Sequence, residues 1–273
     1  MAGDPPVIVS IATIPSRIAK IRPTLESLLA GHRPPDRILV NTPTFCRYEN
    51  SGYEIPGFLT DPAQFGGKVR HVVSPIDWGP GTKILGPVPH LPAESILVIA
   101  DDDIVYHREF LQRLVAAQMA SRNSSFSFFV YRAMGLSIAT GCDGLSVWSP
   151  HLDGIEAFAR RHVADTTLLY HDDVWIAFFL MTRGVRVRQL PVPADAELVY
   201  QQVLPNNVLS GQTGAMQRET IAATHLPRLL KEVELPVLTK ARLLGLRAYD
   251  ETVDLKRRVV NKAARLMGAQ PAA

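Results

Sequence analysis

The chain has 273 residues, enough for one large α/β domain, and its 47% hydrophobic and 20% charged content is ordinary for a globule with a sizeable core. A net charge of +3 is too small to imply nucleic-acid binding, so basic residues must be judged where they cluster. No apolar run approaches the ~18 residues of a membrane span, and Met1–Pro6 lacks the basic-then-apolar pattern of a signal peptide, so a cytoplasmic protein is expected.

Val7 to Ala12 is a compact apolar run and predicts a buried first strand, broken at Thr13-Ile14-Pro15-Ser16-Arg17. Pro23 suits a first helical turn, Leu25, Leu28 and Leu29 supply an apolar face, and Gly31 can end the helix. Arg37 to Asn41 then reads as a second strand, completing a Rossmann-like strand–helix–strand unit. Residues 42–67 are rich in Pro, Gly, Asn and aromatics without a usable period, and so long a connection in a compact domain is often functional. Val69 to Val73 predicts a third strand. After it Asp77-Trp78-Gly79-Pro80-Gly81-Thr82-Lys83 delivers a lysine just before the central strand. Lys83 is expected either on the surface or as a cation facing an aspartate or a phosphate.

Ile96 to Ala100 is continuously apolar, the pattern of a strand buried on both faces of a mostly parallel sheet, and it runs into Asp101-Asp102-Asp103. Three carboxylates there are costly unless solvated, paired or bound to metal. In extended chain Asp101 and Asp103 share one side and Asp102 takes the other, so Asp101 and Asp103 offer two oxygen donors to a hard divalent cation. Phe110, Leu111, Leu114 and Val115 predict an amphipathic helix over 108–120. Short strands follow at Phe126 to Tyr131, Leu136 to Ala139 and Leu145 to Trp148, joined through Gly135 and Gly141-Cys142-Asp143-Gly144. The change to hairpin-like pieces suggests a second half on the same domain. His171-Asp172-Asp173 opens a helix whose Val174, Ala177, Phe178 and Met181 form an apolar stripe ending at Gly184, and Val185 to Leu190 returns as a strand. Capping explains one of the two aspartates; a second acid beside it calls for a cation or a substrate. Cys46 and Cys142 show no ligand spacing, and a packing role is expected. From Leu235 to Ala273 eight Lys or Arg face three acids, and Leu255, Val259, Ala263 and Leu266 share a helical face. Such a basic helix can rest on an anionic membrane as a peripheral contact at its inner face, cover the protein's own core, or pair with a second subunit as a homodimer.

The set of Val7–Arg17 front end, Asp101-Asp102-Asp103 as a DxD motif, and Asp172-Asp173 as a later acid pair resembles the GT-A fold glycosyltransferases. The resemblance runs from residue 7 to about 190. It implies an α/β, Rossmann-like domain over 1–235, with a nucleotide-binding half at 1–106, an acceptor-facing half at 107–235 and a basic helical extension at 236–273. It also implies transfer of a sugar from a nucleotide diphosphate donor, a UDP-sugar first, to a hydroxyl of a saccharide or lipid-linked acceptor. Thr13 and Arg17 would lie near the nucleoside and diphosphate. Asp101 and Asp103 would hold Mn²⁺ or Mg²⁺, Asp102 would face the ribose or donor sugar, and Asp173 would be the base, with Asp172 its alternative. Relatives commonly add a metal-ligating histidine near the C-terminal end. His225 is the only histidine after the acid pair, with a helix-edge histidine as the competing reading. Ser210 to Arg218 reads as a mobile loop from which Arg218 could close over the diphosphate.

Three rivals stand beside this. A haloacid dehalogenase-type phosphatase would use Asp101 and Asp103, although that motif normally follows the first strand. A nucleotidyltransferase would open with a glycine-rich phosphate loop, which Thr13–Arg17 is not. A non-catalytic binding module would not need intact acids at both sites.

Overall fold

The computed structural model describes residues 4–133, 135–205 and 215–234, the last stretch without side chains before residue 220. The basic tail, and residues 210–214 of the loop expected over 210–218, lie outside the described residues.

A seven-stranded sheet organises the chain. Strands β1 (Val7–Ala12), β2 (Arg37–Pro43), β3 (Val69–Ser74) and β4 (Ile96–Ala100) form a parallel block, with β1 between β2 and β4. Helix α1 (Arg22–Leu29) links β1 to β2, with Pro23 in its first turn as expected. The long connection after β2 carries one short helix, α2 (Gly57–Thr60), and α3 (Thr82–Leu85) precedes β4. Beyond β4, strand β5 (Ile104–Tyr106) leads into α4 (Phe110–Ala120), and β6 (Ser124–Ser127), β7 (Val130–Ala133), β8 (Leu136–Ala139) and β9 (Leu145–Trp148) follow. The chain continues through α5 (Ile155–His162), α6 (Asp172–Thr182), β10 (Arg186–Gln189), β11 (Tyr200–Gln202) and α7 (Ala215–Glu232). The sheet order is β10-β6-β9-β4-β1-β2-β3; only β9 runs antiparallel to its neighbours, so the sheet is mostly parallel and Rossmann-like. Strands β7 and β8 make a separate hairpin, and β11 pairs with β5.

The apolar run of β4 is buried on both faces because two helical layers cover the sheet. Ile96, Val98 and Ala100 pack with Val7, Val9 and Ile11 of β1, Leu25 and Leu28 of α1, and Phe110 and Leu114 of α4. Leu97 and Ile99 point into the other core, with Leu39, Leu145, Val147 and the apolar side chains of α6. This is the pattern parallel sheets impose, since crossover helices occupy both faces.

Two expectations are corrected. The single strand over 126–131 is two: β6 stays in the sheet, and the chain leaves it at Phe128 and Phe129 to start the hairpin. The turn is fixed by Ser127 Oγ, which donates to the Phe129 carbonyl, and by Phe128 N–H donating to the Asp143 carbonyl. β6 also begins earlier, at two serines no hydrophobic pattern would mark. The buried Gln118 of α4 makes this tolerable, donating to the Ser124 carbonyl at 2.7 Å and accepting from Ser146 Oγ at 3.0 Å. Second, neither aspartate caps α6: its N-cap residue is His171, with no side-chain capping bond, and Asp172 lies inside the first turn. Among the described residues no helix is long and apolar enough to cross a membrane.

Candidate functional site

Parallel strands bring their carboxyl ends to one edge, where loops converge and ligands bind in open α/β sheets. A cavity of about 350 Å³ opens at that edge. Its floor is the residues that follow β1 (Thr13, Arg17) and β4 (Asp101, Asp102, Asp103). Lys83 of α3 and the start of α6 (Asp172, Asp173) form one wall, and Tyr200 and Gln202 of β11 another.

The acid triplet does not keep the alternation of an extended strand. β4 ends at Ala100 and the chain bends. Asp101 N–H donates to the Tyr106 hydroxyl at 2.8 Å, Thr24 Oγ1 of α1 donates to the Asp102 carbonyl at 3.0 Å, and Val203 N–H donates to the Asp103 carbonyl at 2.9 Å. With the turn's backbone held at these three points, the side chains regroup: Asp102 and Asp103 share Arg17, and Asp101 turns to Lys83. Arg17 Nη1 lies 2.6 Å from Asp102 Oδ1 and 3.2 Å from Asp103 Oδ2. Thr13 Oγ1 donates to Asp102 Oδ2 at 2.6 Å, and Gln202 Nε2 donates to Asp103 Oδ2 at 2.9 Å. Thr13 and Arg17, which follow the end of β1, therefore meet the triplet. The expected pairing of Asp101 with Asp103 on one side, and Asp102 on the other, is replaced by this grouping.

Lys83 is buried, not on the surface. Its Nζ lies 2.9 Å from Asp101 Oδ1 and 3.1 Å from Asp172 Oδ2. Burial pulls its pKa down, but Asp101, Asp172 and Asp173 outweigh burial and hold the ammonium well above the ordinary lysine value. Burial, reinforced by Asp101 and Asp102, pushes the Asp103 carboxyl up to about 6, while Arg17 and the Gln202 amide act against the shift. Asp102 is also raised, by burial first, with Arg17 and Thr13 in opposition. Six aspartates (77, 101, 102, 103, 172, 173) line the cavity against one arginine and one lysine, so it favours a bound cation.

The long connection after β2 folds back over the front end. Tyr53 OH donates to the Thr13 carbonyl at 2.9 Å, Ser16 Oγ donates to Glu49 Oε1 at 2.5 Å, and Arg47 N–H donates to Asp77 Oδ2 at 2.7 Å. Tyr48, Tyr53, Tyr170 and Tyr200 give the cavity aromatic faces. Cys46 and Cys142 both line it. Burial, then Asp101 and Asp143, push the Cys142 thiol up to about 12, so at neutral pH it is no nucleophile.

Among the described residues no group of three His, Cys, Asp or Glu side chains is arranged to hold a metal ion by itself. Asp101 and Asp103 both line the cavity, and a site in which a substrate's phosphates and water complete an ion's shell asks for no more than one or two carboxylates. The structure places His225 away from the described lining of the cavity: its Nε2 lies 2.7 Å from Thr167 Oγ1, where α7 packs on the chain before α6. The competing reading, a helix-edge histidine, matches that position. Arg218 belongs to α7, not to a loop, and its side chain lies outside the described residues.

Sequence reasoning missed Gln202, Tyr53, Asp77 and Gly141 as site residues. Gln202 sits in a segment with no period, and Tyr53 in a long connection whose path only its hydrogen bonds determine. Gly141 carried a signal, since it was legible as a turn. Its lack of a side chain is needed because a Cβ there would lie 2.5 Å from both Asp101 Oδ1 and Lys83 Nζ.

No family model and no curated protein matches the chain. Among solved structures, 2-C-methyl-D-erythritol 4-phosphate cytidylyltransferase from Thermus thermophilus is similar over 81% of this chain and 100% of that chain, with 15% sequence identity and a TM-score of 0.46.

Proposed function

We propose that the chain is a metal-dependent glycosyltransferase, moving a sugar from a nucleotide diphosphate donor to a hydroxyl acceptor. One observation carries this reading: the acid triplet at the end of β4 and the acid pair opening α6 line one cavity at the carboxyl edge of the sheet, together with the β1 loop.

Each part has chemical work in that reaction. Asp101 and Asp103 would hold Mn²⁺ or Mg²⁺, which supplies neutralisation of the charge that develops on a departing diphosphate. Thr13 and Arg17 border the same floor and would orient the donor, with Arg17 keeping Asp102 in place through its 2.6 Å contact. Asp173, half-buried in the first turn of α6, would take the proton of the acceptor hydroxyl, which is a weak nucleophile until a base does so. The tyrosine faces suit a nucleobase or sugar rings. The phosphatase reading gains no support. Its nucleophile, Asp101, follows the fourth strand in chain order, whereas that motif normally follows the first.

The test is a panel of nucleotide sugars, UDP-sugars first, assayed with Mn²⁺ and with EDTA for release of the nucleoside diphosphate. Metal-dependent release from one of them is expected, because transferases leak donor to water. The reading fails if no sugar nucleotide is turned over and UDP binds with the same affinity with and without Mn²⁺.

A further inference from the structure

Lys83 was expected to face an aspartate or a phosphate, and its surroundings decide between them. We infer that Lys83 is a positioning residue: its ammonium ties Asp101 at the end of β4 to Asp172 in the first turn of α6, and so sets the spacing between the donor-side and acceptor-side acids. This rests on the glycosyltransferase reading and narrows the role of Lys83 within it from donor contact to spacer.

Three observations carry it. The ammonium is already engaged, 2.9 Å from Asp101 Oδ1 and 3.1 Å from Asp172 Oδ2, with only 8% of the side chain exposed. Asp172 Oδ2 has no hydrogen-bond partner, so the attraction of Lys83 is ionic, and it is the compensation this oxygen receives among the described residues.

The backbone that carries the lysine is wedged in place. Ser10 Oγ of β1 donates to the Lys83 carbonyl at 2.5 Å, and Asn41 Nδ2 of β2 donates to Ser10 Oγ at 2.8 Å. On either side of the short helix the chain is glycine because nothing larger fits. A Cβ at Gly86 would lie 2.7 Å from Asn41 Oδ1, and one at Gly81 would lie 2.7 Å from Trp175 Cζ2 of α6. α3 is thus clamped between two sheet strands and the very helix whose first turn holds Asp172.

The pair is also closed over. A Cβ at Gly141 would fall 2.5 Å from Lys83 Nζ and 2.5 Å from Asp101 Oδ1, so the backbone between β8 and β9 covers the contact directly. A lysine that reaches for a phosphate needs a free stem and spare charge. Here the stem is enclosed and the charge is shared by two carboxylates. An ammonium suits the task because it is a compact point charge with three donors that need no common plane.

The test joins kinetics to unfolding. With a sugar nucleotide that the wild type turns over, Lys83→Met is expected to lower kcat about a hundredfold, the cost of a small misplacement of reacting groups, while donor KM moves less than about fivefold. Gly141→Ala keeps the charge and pushes the pair apart, so it should show the same split. It serves as the second variant if Lys83→Met folds poorly. In urea, the double variant Lys83→Met/Asp172→Asn should unfold at a higher midpoint than Lys83→Met alone, because it no longer buries an unmatched carboxylate at 172. A rise of tenfold or more in donor KM at unchanged kcat makes Lys83 a donor ligand and overturns the inference. A double variant no more stable than Lys83→Met also overturns it. If the wild type turns over no sugar nucleotide, the functional reading falls, and the urea midpoints still decide whether Lys83 compensates the buried carboxylate of Asp172.

Discussion

Asp103 is held in a fold that disfavours its charge, and replacing it should reveal this. Only 8% of the residue is exposed, and burial beside Asp101 and Asp102 raises its carboxyl from the ordinary 3.8 to about 6. A shift of about two units, at ~1.4 kcal/mol each, corresponds to ~3 kcal/mol. The folded chain binds this proton more tightly than the unfolded chain does. The contribution is therefore fully present below pH 3.8 and lost as the pH rises through about 6. Asparagine imitates the protonated form and keeps an oxygen for the Gln202 amide, which donates at 2.9 Å, but it surrenders the 3.2 Å contact with Arg17. In EDTA, Asp103→Asn should match the wild type near pH 4 and exceed it by up to ~3 kcal/mol at pH 7, less the value of that ion pair. Urea unfolding at a series of pH values reads the difference directly. Mn²⁺ should restore part of the wild-type loss and do nothing for the variant. A difference that is flat across the pH range, or a wild type more stable than the variant at pH 7, would refute the reasoning.

Other outcomes follow from the same geometry. Asp173→Asn should leave nucleoside diphosphate binding nearly intact while turnover falls by ~10² to 10⁴, the usual contribution of a general base; unchanged turnover would move the role to Asp172. His225→Ala should leave metal affinity untouched and cost about 1 kcal/mol for the lost contact with Thr167, so weaker Mn²⁺ binding in calorimetry would contradict its exclusion from the site. Gly81→Ala should lower stability by ~1–3 kcal/mol through overpacking against Trp175, and adding Trp175→Phe should return part of the melting temperature. Cys142 should react with iodoacetamide at pH 7.5 far more slowly than a free thiol, given a pKa pushed up to about 12; rapid labelling with loss of activity would contradict that.

The parallel block was legible because its signals are local. Runs such as Val7–Ala12 and Ile96–Ala100 are apolar at every position, or nearly so, only where helices cover both faces, and the strands occur where those runs stand. β6 was harder to place because it opens with Ser124 and Ser125. Its place in the core depends on Gln118 and Ser146, which come from other elements. The second half of the site had the same difficulty: nothing in Tyr200–Gln202 marks it as a neighbour of Asp103 until β11 pairs with β5.

What the amino-acid order determined by itself was which residues could carry the chemistry: acids that close a fully buried strand, an acid pair at a helix start, and a lysine delivered by a glycine-rich turn. The tertiary structure decided how they divide. Alternation along a strand assigns Asp101 and Asp103 to one side only while the chain stays extended. The bend after Ala100, held by Tyr106, Thr24 and Val203, gives Asp102 and Asp103 to Arg17 and Asp101 to Lys83. Those partners lie 18 to 86 residues away in the chain. Charges attract across space regardless of sequence separation, so only the folded chain determines which ones meet.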